Sequence, residues 1–529
     1  MKLNSLADGL ALTVLGEGDP ELLGLTEDSR QVKPGDVFAA VKGDKTDGRS
    51  FIQKALAAGA AAILAFGEDD REGFLKNLNV PILLAKKEGF RETVSRAARL
   101  VYENPDEKLF VIGVTGTNGK TTTTYLLEDV LNGQGWPCGV IGTVNYRWPG
   151  PSGLKIQEAP NTTPEGPLLW KLLKEMVFDG ARAVVIEVSS HALELGRLGD
   201  LRFDLAMFTN LSRDHLDFHP DMDAYFEAKK KLFTEKLKVG AKKSVVGVDD
   251  PHGQKLYEQI AQRAVGFGLS DGAQYQAKNV RVERNGLRFN FAKKIPGGPE
   301  GGANHEGGGA GVEMPIVSPL MGKFNAVNLL GVLAAADQMG LEANKTAEIL
   351  SGAKGAPGRL ERVGQNDAYL VLVDYSHTPA SVAAALESLR LLKPRKLLCV
   401  FGCGGDRDKG KRPQMAETAG RLADVAILTS DNPRTEDPLA IMADASLGFE
   451  KLGLSRAEIL SSVGRDYCSY LAEPDRAMAI NAACGLMKEG DVLLIAGKGH
   501  EDYQIVGTVK RHFDDREVAK ASLDSMGKS

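Results

Sequence analysis

The sequence is poor in cysteine, and its few thiols are not spaced for a structural role. The five cysteines among 529 residues are Cys138, Cys399, Cys403, Cys468 and Cys484. An odd number of scattered cysteines argues against a disulfide framework, and none of the spacings is that of a metal-binding pair. Such a chain suits a reducing compartment, so we expect a cytoplasmic protein.

Long hydrophobic runs are also missing, and so is an excess of charge of one sign. No charge-free stretch approaches the roughly 18 apolar residues of a membrane-spanning helix, and the start of the chain lacks the apolar core of a secretion signal. Lys and Arg total 65 against 70 Asp and Glu, a net charge of −5. We therefore expect neither nucleic acid nor a membrane among the partners.

The length of the chain predicts about three domains, because one hydrophobic core does not extend over so many residues. Apolar runs divide the chain near residues 109 and 354. Residues 1–109 alternate predicted strands at 36–41, 61–65 and 80–84 with alanine-rich helical stretches such as 51–58. This pattern indicates a small α/β unit.

The pattern of strands and helices restarts at Phe110. Buried-strand runs at 110–114, 183–188 and 205–209 are separated by helical stretches, which predicts a parallel sheet covered on both faces. A hairpin is expected over 280–292, turning at Asn285-Gly286, and a helix over 325–339. The glycine-dominated stretch 296–311 is expected to be a loop without chemistry.

The last part of the chain repeats the parallel pattern, and each of its strands runs into a polar motif. The predicted strands are 369–373, 396–401, 425–428 and 492–495, and the motifs are Asp374-Tyr375-Ser376-His377, Gly402-Cys403-Gly404-Gly405-Asp406-Arg407, Asp431-Asn432-Pro433-Arg434 and Gly497-Lys498-Gly499-His500-Glu501. One such motif could be an ordinary turn. Four together predict a site, since ligands bind beyond the carboxyl ends of parallel strands.

The most informative segment is a glycine-containing loop between a strand and a helix, Thr115-Gly116-Thr117-Asn118-Gly119-Lys120-Thr121-Thr122. Its glycines let backbone N–H groups face an anion, Lys120 can reach the outer phosphates, and the Thr121 hydroxyl can ligate Mg²⁺. The strict phosphate-loop pattern is missed by one place, because Val114 stands where glycine is usual. The segment still predicts a protein that consumes a nucleoside triphosphate.

Several other candidate residues allow both a functional and a structural interpretation when each is considered alone. Glu187 ends a strand and could ligate Mg²⁺, or could be a cap or an ion-pair partner. His215 and His219 lie in an acidic segment after a strand and could contact metal or phosphate, or be ordinary surface histidines. Lys229 begins a run of three lysines on a predicted helix, where composition favours a solvated basic face.

Taken together, the motifs resemble those of the Mur ligases of bacterial peptidoglycan synthesis, in the family's order and over essentially the whole chain. Besides the phosphate loop and the four strand-end motifs, the matching segments are Asp28-Ser29-Arg30, Asn161-Thr162-Thr163-Pro164, Glu187-Val188-Ser189-Ser190-His191, residues 210–215, Tyr225-x-x-Ala228-Lys229-x-x-Leu232-Phe233, Phe324-Asn325-x-x-Asn328 and Gly358-Arg359-Leu360-Glu361.

The resemblance implies a three-domain α/β fold. Residues 1–109 would bind the UDP-muramoyl substrate, residues 110–353 would form a central P-loop ATPase domain with a parallel sheet, and residues 354–529 would form a Rossmann-like domain that binds the amino acid. It also implies a ligase for cell-wall biogenesis, and hence for cell shape and division. ATP would phosphorylate the γ-carboxylate of D-Glu in UDP-N-acetylmuramoyl-L-Ala-D-Glu, and an amine would then attack the acyl phosphate.

The resemblance also assigns the nucleotide and metal residues. Lys120, Glu187, His215 and Lys229 would be catalytic, with Lys229 converted by CO₂ to the metal-binding N6-carboxylysine. Two Mg²⁺ ions would be held by Thr121, Glu187, His215 and the carbamylated Lys229. The ATP residues would be Gly116, Thr117, Asn118, Gly119, Lys120, Thr121, Thr122, Asn328, Arg359 and Asp374.

The substrate residues follow from the same resemblance. Those for the UDP-muramoyl dipeptide would be Ser29, Asn161, Thr162, Thr163, Ser189 and Arg197. Those for meso-diaminopimelate would be Arg407, Asp431, Asn432, Pro433, Arg434, Gly497 and Glu501. Arg434 could bind the distal carboxylate of meso-diaminopimelate through two charge-assisted hydrogen bonds, and L-lysine has no such carboxylate.

Two alternatives remain at the level of the sequence. A sibling ligase that joins D-Ala-D-Ala or polyglutamate should lack the Asp-Asn-Pro-Arg motif. A nucleotide-dependent switch or binding protein would need no strand-end motifs in a separate domain. We expect a monomer that acts on small-molecule substrates.

Overall fold

The computed structural model describes residues 1–43, 46–67, 78–294, 313–457 and 469–528. The glycine-dominated stretch 296–311 and Cys468 lie outside the described residues. The chain forms two compact units, the first made of Met1–Tyr275 with Gly331–Thr346 and the second of Gln276–Leu330 with Ala347–Ser529.

The first unit begins with a five-stranded sheet in the order β1-β5-β4-β3-β2. Strands β2 to β5 are parallel and β1 is antiparallel to β5. The elements are α1 (Leu3–Leu10), β1 (Thr13–Leu15), β2 (Gly24–Thr26), β3 (Asp36–Ala39), α2 (Ile52–Ala57), β4 (Ala62–Phe66), β5 (Ile82–Ala85) and α3 (Phe90–Val101). The α/β pattern predicted for this part of the chain is confirmed.

The second sheet of the first unit has the strand order β13-β12-β11-β6-β10-β7-β8-β9. The elements are β6 (Phe110–Thr115), α4 (Lys120–Gly133), β7 (Cys138–Ile141), β8 (Asn145–Gly150), β9 (Gly153–Glu158), α5 (Gly166–Phe178), β10 (Ala183–Glu187), α6 (Ser190–Glu194), β11 (Leu205–Phe208), α7 (Met222–Thr234), β12 (Ser244–Gly247), α8 (Pro251–Gln259) and β13 (Ala264–Gly268). The first six strands in this order are parallel, as predicted. Strands β8 and β9 are antiparallel and form one edge of the sheet.

Strand β6 lies between β11 and β10, near the middle of this sheet. The strands β7, β10 and β11 are buried along their whole length because helices cover both faces. The phosphate loop that follows β6 therefore lies at the carboxyl edge, next to the loops that follow β10 and β11. This adjacency positions the first group of candidate residues.

A serine on α3 joins the two sheets of the first unit. The Ser95 hydroxyl donates to the carbonyl of Arg197 at 2.9 Å and accepts from the indole N–H of Trp170 at 2.9 Å. Trp170 is fully buried on α5. These contacts fix the chain after α6, and with it Arg197.

The second unit is built on a seven-stranded sheet in the order β17-β18-β23-β19-β20-β22-β21, parallel except for β17. Its neighbours are the antiparallel strands β15 and β16, next to β14, and a small β24–β25 hairpin. The elements from residue 275 onward are β14 (Tyr275–Glu283), β15 (Gly286–Lys293), β16 (Glu313–Ser318), α9 (Lys323–Met339), α10 (Ala343–Gly352), β17 (Glu361–Val363), β18 (Tyr369–Asp374), α11 (Pro379–Arg390), β19 (Leu397–Cys403), α12 (Lys411–Leu422), β20 (Val425–Ser430), α13 (Pro438–Glu450), β21 (Ser455–Arg456), β22 (Ser469–Ala472), α14 (Arg476–Leu486), β23 (Asp491–Ala496), β24 (Tyr503–Val506), β25 (Val509–His512) and α15 (Asp515–Ser525). Beyond β14, the divisions between the two units fall within α9 and α10.

The four strands that carry the polar motifs, β18, β23, β19 and β20, are consecutive and parallel in this sheet. Their motifs therefore line one edge, as the sequence predicts. The predicted hairpin corresponds to β14 and β15, with Gly286 at a φ of 137° where the second strand begins. Within the described ranges, no helix combines the length and the apolar character needed to cross a membrane.

Candidate active site

The loop predicted to bind phosphate connects β6 to α4. Gly116 has a φ of 144° and Gly119 a φ of 86°, which glycine adopts at little cost. A Cβ at Gly116 would overlap the hydroxyl of Thr209, so the close approach of the neighbouring loop also requires glycine. The loop leads into a helix N-terminus, whose first N–H groups and dipole favour a bound anion.

Lys120 and the segment after β11 hold this loop in place. The Lys120 ammonium donates to the carbonyls of Gly116 and Thr117, each at 2.9 Å. From the neighbouring strand, the side-chain carbonyl of Asn210 accepts from the backbone N–H of Asn118 at 3.0 Å. The predicted segment that follows β11 therefore braces the phosphate loop.

Glu187 is buried at the end of β10 and lies against the start of α4. Its carboxylate accepts hydrogen bonds from the Thr121 hydroxyl at 3.1 Å and from the backbone N–H and hydroxyl of Thr143, both at 3.0 Å. A Cβ at Gly142 would overlap the same carboxylate. The two residues predicted to ligate one Mg²⁺, Thr121 and Glu187, are therefore adjacent.

Lys229 is buried on α7, with a relative exposure of 1%. Its ammonium donates to the carbonyl of Gly116 at 2.9 Å and lies 4.6 Å from the centre of the Tyr225 ring. Burial holds the pKa of Lys229 well below its usual value, and the nearby Lys120 cation lowers it further. Lys229 therefore reaches the phosphate loop from a buried site that disfavours the charged form of its side chain.

Only one member of the lysine run is buried in this way. Lys230 and Lys231 are half-buried and pair with Glu227 and with a glutamate on α6. The basic face suggested by composition is therefore formed by these two residues and not by Lys229. Lys229 shares a helix face with Tyr225 at i−4, and that spacing is the signal that could have indicated its burial.

His215 lies close to these cations. Its ring centre is 5.9 Å from that of Tyr225, and its backbone φ is 53°. Burial lowers the pKa of His215, and the carboxylate of Asp214 acts in the opposite direction. Lys120 and Lys229 lower it further, so the three predicted catalytic groups are within electrostatic range of one another.

His219 has a different environment from His215. It is buried, and its Nε2 lies 2.9 Å from the hydroxyl of Ser190. His191 packs between these histidines, and its pKa is lowered to about 4, first by burial and then by His215 and His219. His219 is thus a hydrogen-bonded core histidine.

Most residues predicted to bind the UDP-muramoyl dipeptide meet at the carboxyl end of β10. The Thr163 hydroxyl donates to the carbonyl of Glu187 at 2.7 Å and accepts from the backbone N–H of Ser189 at 3.0 Å. Further contacts are Thr162 Oγ1 to Thr143 Oγ1 at 3.0 Å and Tyr146 Oη to the Asn161 carbonyl at 2.6 Å. The sequence did not single out Thr143, which contacts both Thr162 and Glu187.

Arg197 joins this group through a shared glutamate. Its guanidinium donates to the carbonyl of Thr163 at 3.2 Å and lies 2.9 Å from the Glu165 carboxylate, which Arg91 also approaches to 3.1 Å. Glu27 is in electrostatic contact with this cluster, and its pKa is raised to about 7 by burial and by Glu165. The turn that contains Glu27 also carries the buried Ser29.

A cavity of about 420 Å³ opens beside Arg91. Its lining includes the cations Lys42 and Lys87 and the aromatic rings of Phe66 and Phe90, whose centres are 5.1 Å apart. Cations next to aromatic rings provide the chemistry for an anionic, ring-containing ligand. No sequence motif pointed to these residues, because they come from separate loops and helices.

In the second unit, Arg359 and Asp374 are brought together. The Asp374 carboxylate accepts from the backbone N–H of Leu360 at 2.7 Å, and the Arg359 guanidinium lies 4.7 Å from the centre of the Tyr375 ring. Asn328 is buried on α9. Two of the three nucleotide residues expected from this part of the chain therefore share one location.

The loops after β20 and β23 also meet. The Asn432 side-chain N–H₂ donates to the Glu501 carboxylate at 2.9 Å, and Lys498 lies 3.2 Å from the Asp431 carboxylate. Burial raises the pKa of Glu501, and the negative charge of Asp431 raises it further. We call Asp431, Asn432, Arg434, Gly497 and Glu501 the strand-end pocket.

Arg434 follows Pro433 at the edge of this pocket. Its guanidinium donates to the carbonyl of Gly405 at 2.8 Å, and its backbone has a φ of 52°. A Cβ at Gly404 would lie 3.1 Å from Arg434 Nη1 and 3.8 Å from Arg407 Cγ, so the two arginines flank this glycine. Arg407 is exposed.

The chain matches three domain families in order. They are the Mur ligase family catalytic domain over residues 21–101, the Mur ligase middle domain over residues 114–336 and the Mur ligase glutamate ligase domain over residues 358–499. The protein belongs to the Mur ligase family, and the expected three-domain α/β fold with parallel sheets is confirmed.

Among its relatives is a Geobacter metallireducens protein named UDP-N-acetylmuramoyl-L-alanyl-D-glutamate--2,6-diaminopimelate ligase. It is 42% identical over 511 residues, 95% of this chain and 94% of the relative. A Gloeobacter violaceus protein of the same name is 42% identical over 529 residues, 99% of this chain and 98% of the relative.

Solved structures agree with this assignment. One of a protein with that same name is 32% identical, covers 96% of both chains and has a TM-score of 0.63. The MurF ligase of Thermotoga maritima, solved with ADP, is 19% identical over 96% of this chain and 97% of that one, with a TM-score of 0.58. At that identity the likeness shows a shared fold.

Proposed function

We propose that this protein is an ATP-dependent ligase that joins meso-2,6-diaminopimelate to the γ-carboxyl group of D-Glu in UDP-N-acetylmuramoyl-L-Ala-D-Glu. The observation that carries this proposal is the identity of about 42%, over nearly the full length of both chains, with proteins named for that reaction. The reaction would proceed through an acyl phosphate and would be a cytoplasmic step of peptidoglycan synthesis.

The phosphate loop supports the ATP-consuming half of this reaction. Its backbone N–H groups and Lys120 would hold the β- and γ-phosphates in line with the acceptor carboxylate, and such positioning is most of what phosphoryl transfer requires. The other residues proposed to bind ATP in this loop are Gly116, Thr117, Asn118, Gly119, Thr121 and Thr122. In the second unit, Asn328, Arg359 and Asp374 would bind the rest of the nucleotide.

The donors around Glu187 fit a magnesium ion. A hydroxyl from Thr121 and a carboxylate from Glu187 are hard oxygen ligands at 3.1 Å from each other. In the described part of the chain, no three His, Cys, Asp or Glu side chains form a metal cluster, so the proposed ions depend on other donors as well. When bound, Mg²⁺ would neutralise charge on the phosphates.

The buried amine of Lys229 fits carbamylation. CO₂ reacts with the neutral form of an amine and one proton is released as the carbamate forms, and burial beside Lys120 shifts the pKa of Lys229 in the direction that favours the neutral form. The product would be a carboxylate-like group near His215, and together they would hold a second Mg²⁺. This chemistry explains why a cation is buried against the phosphate loop.

The dipeptide substrate would lie between the cavity beside Arg91 and the end of β10. The cations and rings of that cavity suit the uridine diphosphate, and the residues proposed for the muramoyl dipeptide are Ser29, Asn161, Thr162, Thr163, Ser189 and Arg197. Arg197 would exchange its contact with Glu165 for a contact with the substrate.

The strand-end pocket supports the choice of amino acid. The Arg434 guanidinium would receive the distal carboxylate of meso-diaminopimelate and Glu501 its distal ammonium, with Arg407, Asp431, Asn432, Pro433 and Gly497 completing the site. L-lysine would leave Arg434 facing a side chain of like charge, which disfavours binding. We also propose a monomer with domain boundaries near residues 109 and 353.

The decisive experiment measures phosphate release by the purified protein with ATP, Mg²⁺ and the UDP-muramoyl dipeptide, adding meso-diaminopimelate or L-lysine. We expect release that requires the dipeptide and is much faster with meso-diaminopimelate. Equal rates with both amino acids would contradict the proposed specificity. Release that depends on neither amino acid would contradict ligation.

A further inference from the structure

The strand-end pocket is organised by a lysine that does not belong to it. Lys498 is fully buried, and its ammonium donates to the carbonyl of Tyr503 at 2.7 Å and to the Asn432 side-chain carbonyl at 3.0 Å. It also lies 3.2 Å from the Asp431 carboxylate. An ammonium is costly to bury, and two hydrogen bonds together with the opposite charge of Asp431 offset that cost.

The contacts of Lys498 determine how Asn432 is oriented. The Asn432 side-chain oxygen accepts from Lys498 and from the backbone N–H of Ile505, both at 3.0 Å. With its oxygen held by two donors, the amide must turn its N–H₂ group to the other side, where it donates to Glu501 at 2.9 Å. Lys498 therefore orients the Asn432 side-chain amide, and that amide in turn holds the Glu501 carboxylate.

Lys498 also lies between two carboxylates of like charge. Its ammonium is 3.2 Å from Asp431 and 3.7 Å from Glu501. Burial and Asp431 raise the pKa of Glu501, and Lys498 is the largest influence that lowers it. The other ionisable groups that act electrostatically with Glu501 are Arg434, Arg476 and the phenol of Tyr375.

The β24–β25 hairpin holds the same loop from outside. The Gln504 side-chain N–H₂ donates to the carbonyl of Asp431 at 2.7 Å, and the backbone N–H of Arg434 donates to the carbonyl of Ile505 at 3.1 Å. The backbone N–H of Gly507 donates to the carbonyl of Arg434 at 2.7 Å. These contacts maintain the left-handed backbone of Arg434, which a residue with a side chain adopts only when its surroundings hold it there.

We propose that Lys498 is a positioning residue for the amino-acid substrate, and that it acts by holding Asn432 and Glu501 in the arrangement that receives the distal ammonium. The β24–β25 hairpin, through Gln504, holds the Asp431–Arg434 loop that presents the guanidinium. This inference rests on the proposed function, because it assigns a role within the same pocket.

The first test is the Lys498→Met variant, which removes the charge of Lys498 and keeps a similar side-chain length. Its control is Lys520→Met, which removes an exposed ammonium that pairs with Asp524 on α15. We expect the KM for meso-diaminopimelate to rise by about 10- to 100-fold, as for the loss of a charge-assisted hydrogen bond. The KM values for ATP and the dipeptide should stay within about twofold of wild type.

The pH profile separates positioning from a purely structural role. Without the Lys498 cation, Glu501 should bind its proton more tightly. The acid limb of kcat/KM for meso-diaminopimelate should therefore move to higher pH in Lys498→Met and not in Lys520→Met. A folded Lys498→Met enzyme with an unchanged KM for the amino acid, or with a loss of kcat alone, would overturn the proposal.

A second variant, Gln504→Leu, decides the matter if Lys498→Met does not fold. It removes one hydrogen bond at a half-buried position, and we expect a rise of about 3- to 10-fold in the KM for meso-diaminopimelate. An unchanged KM in Gln504→Leu would overturn the proposal. A wild-type protein that releases no phosphate in response to meso-diaminopimelate would overturn the proposed function and this inference with it.

Discussion

The phosphate loop of the first unit and the strand-end pocket of the second unit use the same sheet geometry in different ways. Both lie beyond the carboxyl ends of parallel strands. The loop is one continuous segment between β6 and α4, whereas the pocket is assembled from the loops after β20 and β23. The loop after β19 accepts a hydrogen bond from Arg434, and the β24–β25 hairpin donates one to Asp431.

The difference has a physical reason. A phosphate can be bound by backbone N–H groups and one lysine, and a short segment with glycines supplies all of these. An amino acid with two charged ends needs opposite charges at a fixed separation. In the proposed site these charges would be Arg434 and Glu501, which are far apart in the chain. Such a site tolerates less displacement, and the buried Lys498 compensates for the crowding of its carboxylates.

The largest effect should come from breaking the continuous loop. In Lys120→Ala, we expect kcat/KM for ATP to fall by about 10³-fold, because a charge that stabilises the transferred phosphoryl group is lost. Phosphate release is the measurement, with the exposed Lys242→Ala as the control. If Lys120→Ala keeps more than about a tenth of wild-type activity, the loop does not position the phosphates as proposed.

The next largest effect should follow Lys229→Ala, at about 10²-fold or more in kcat. Short carboxylates such as acetate should restore part of the activity, because they can occupy the place of the carbamate. Lys231→Ala, in the same lysine run and paired with Glu194 at 2.7 Å, is the matched control. Full activity of Lys229→Ala would remove the carbamate from the mechanism.

The strand-end pocket should respond differently. Arg434→Ala should raise the KM for meso-diaminopimelate by about 10- to 100-fold and leave the KM for ATP near its wild-type value. Steady-state kinetics with each substrate varied in turn would show this, with the exposed Arg421→Ala as the control. An equal rise in both KM values would mean that the strand-end pocket does not bind the amino acid independently of ATP.

The last expected effect is on stability and not on activity, and it concerns the residues near the Arg91 cavity. Burial and the neighbouring Glu165 raise the pKa of Glu27 to about 7 in the folded protein, from an ordinary value of 4.5. As the pH rises from 4.5 to 7, the Glu27 carboxyl group loses its proton in the unfolded chain before it does so in the folded protein. Deprotonation therefore lowers the free energy of unfolding, by at most about 3 kcal/mol above pH 7.

The Glu27→Gln variant should therefore melt at a higher temperature than wild type at pH 8 and at nearly the same temperature at pH 4.5. Thermal unfolding at the two pH values measures this, with the exposed Glu17→Gln as the control. A difference of equal size at both pH values would show that the charge of Glu27 is not responsible.

Several features were accessible from the sequence because the forces behind them are local. The strands 110–114 and 183–188 are continuous apolar runs, and they form β6 and β10 with boundaries shifted by a residue. The hairpin at Asn285-Gly286 follows from turn chemistry. The adjacency of Thr121 and Glu187 follows once two parallel strands pair, because their carboxyl ends then coincide.

Other features needed the tertiary structure, because burial and pairing depend on what packs across from a residue. Composition left Lys229 indistinguishable from Lys230, and only the contact of α7 with the phosphate loop separates them. Lys498 is a similar case: it lies between two glycines, and its acceptor Asn432 is on the loop after β20, 66 residues away in the chain.

The parallel strands that carry the site, the phosphate loop and the polar groups at the strand ends could be predicted from the sequence. These follow from periodicity and from glycine, which act over a few residues. Which cations are buried and which carboxylates face one another became clear only from the folded arrangement of the chain. Those outcomes depend on desolvation and Coulomb interactions between residues that the fold brings together.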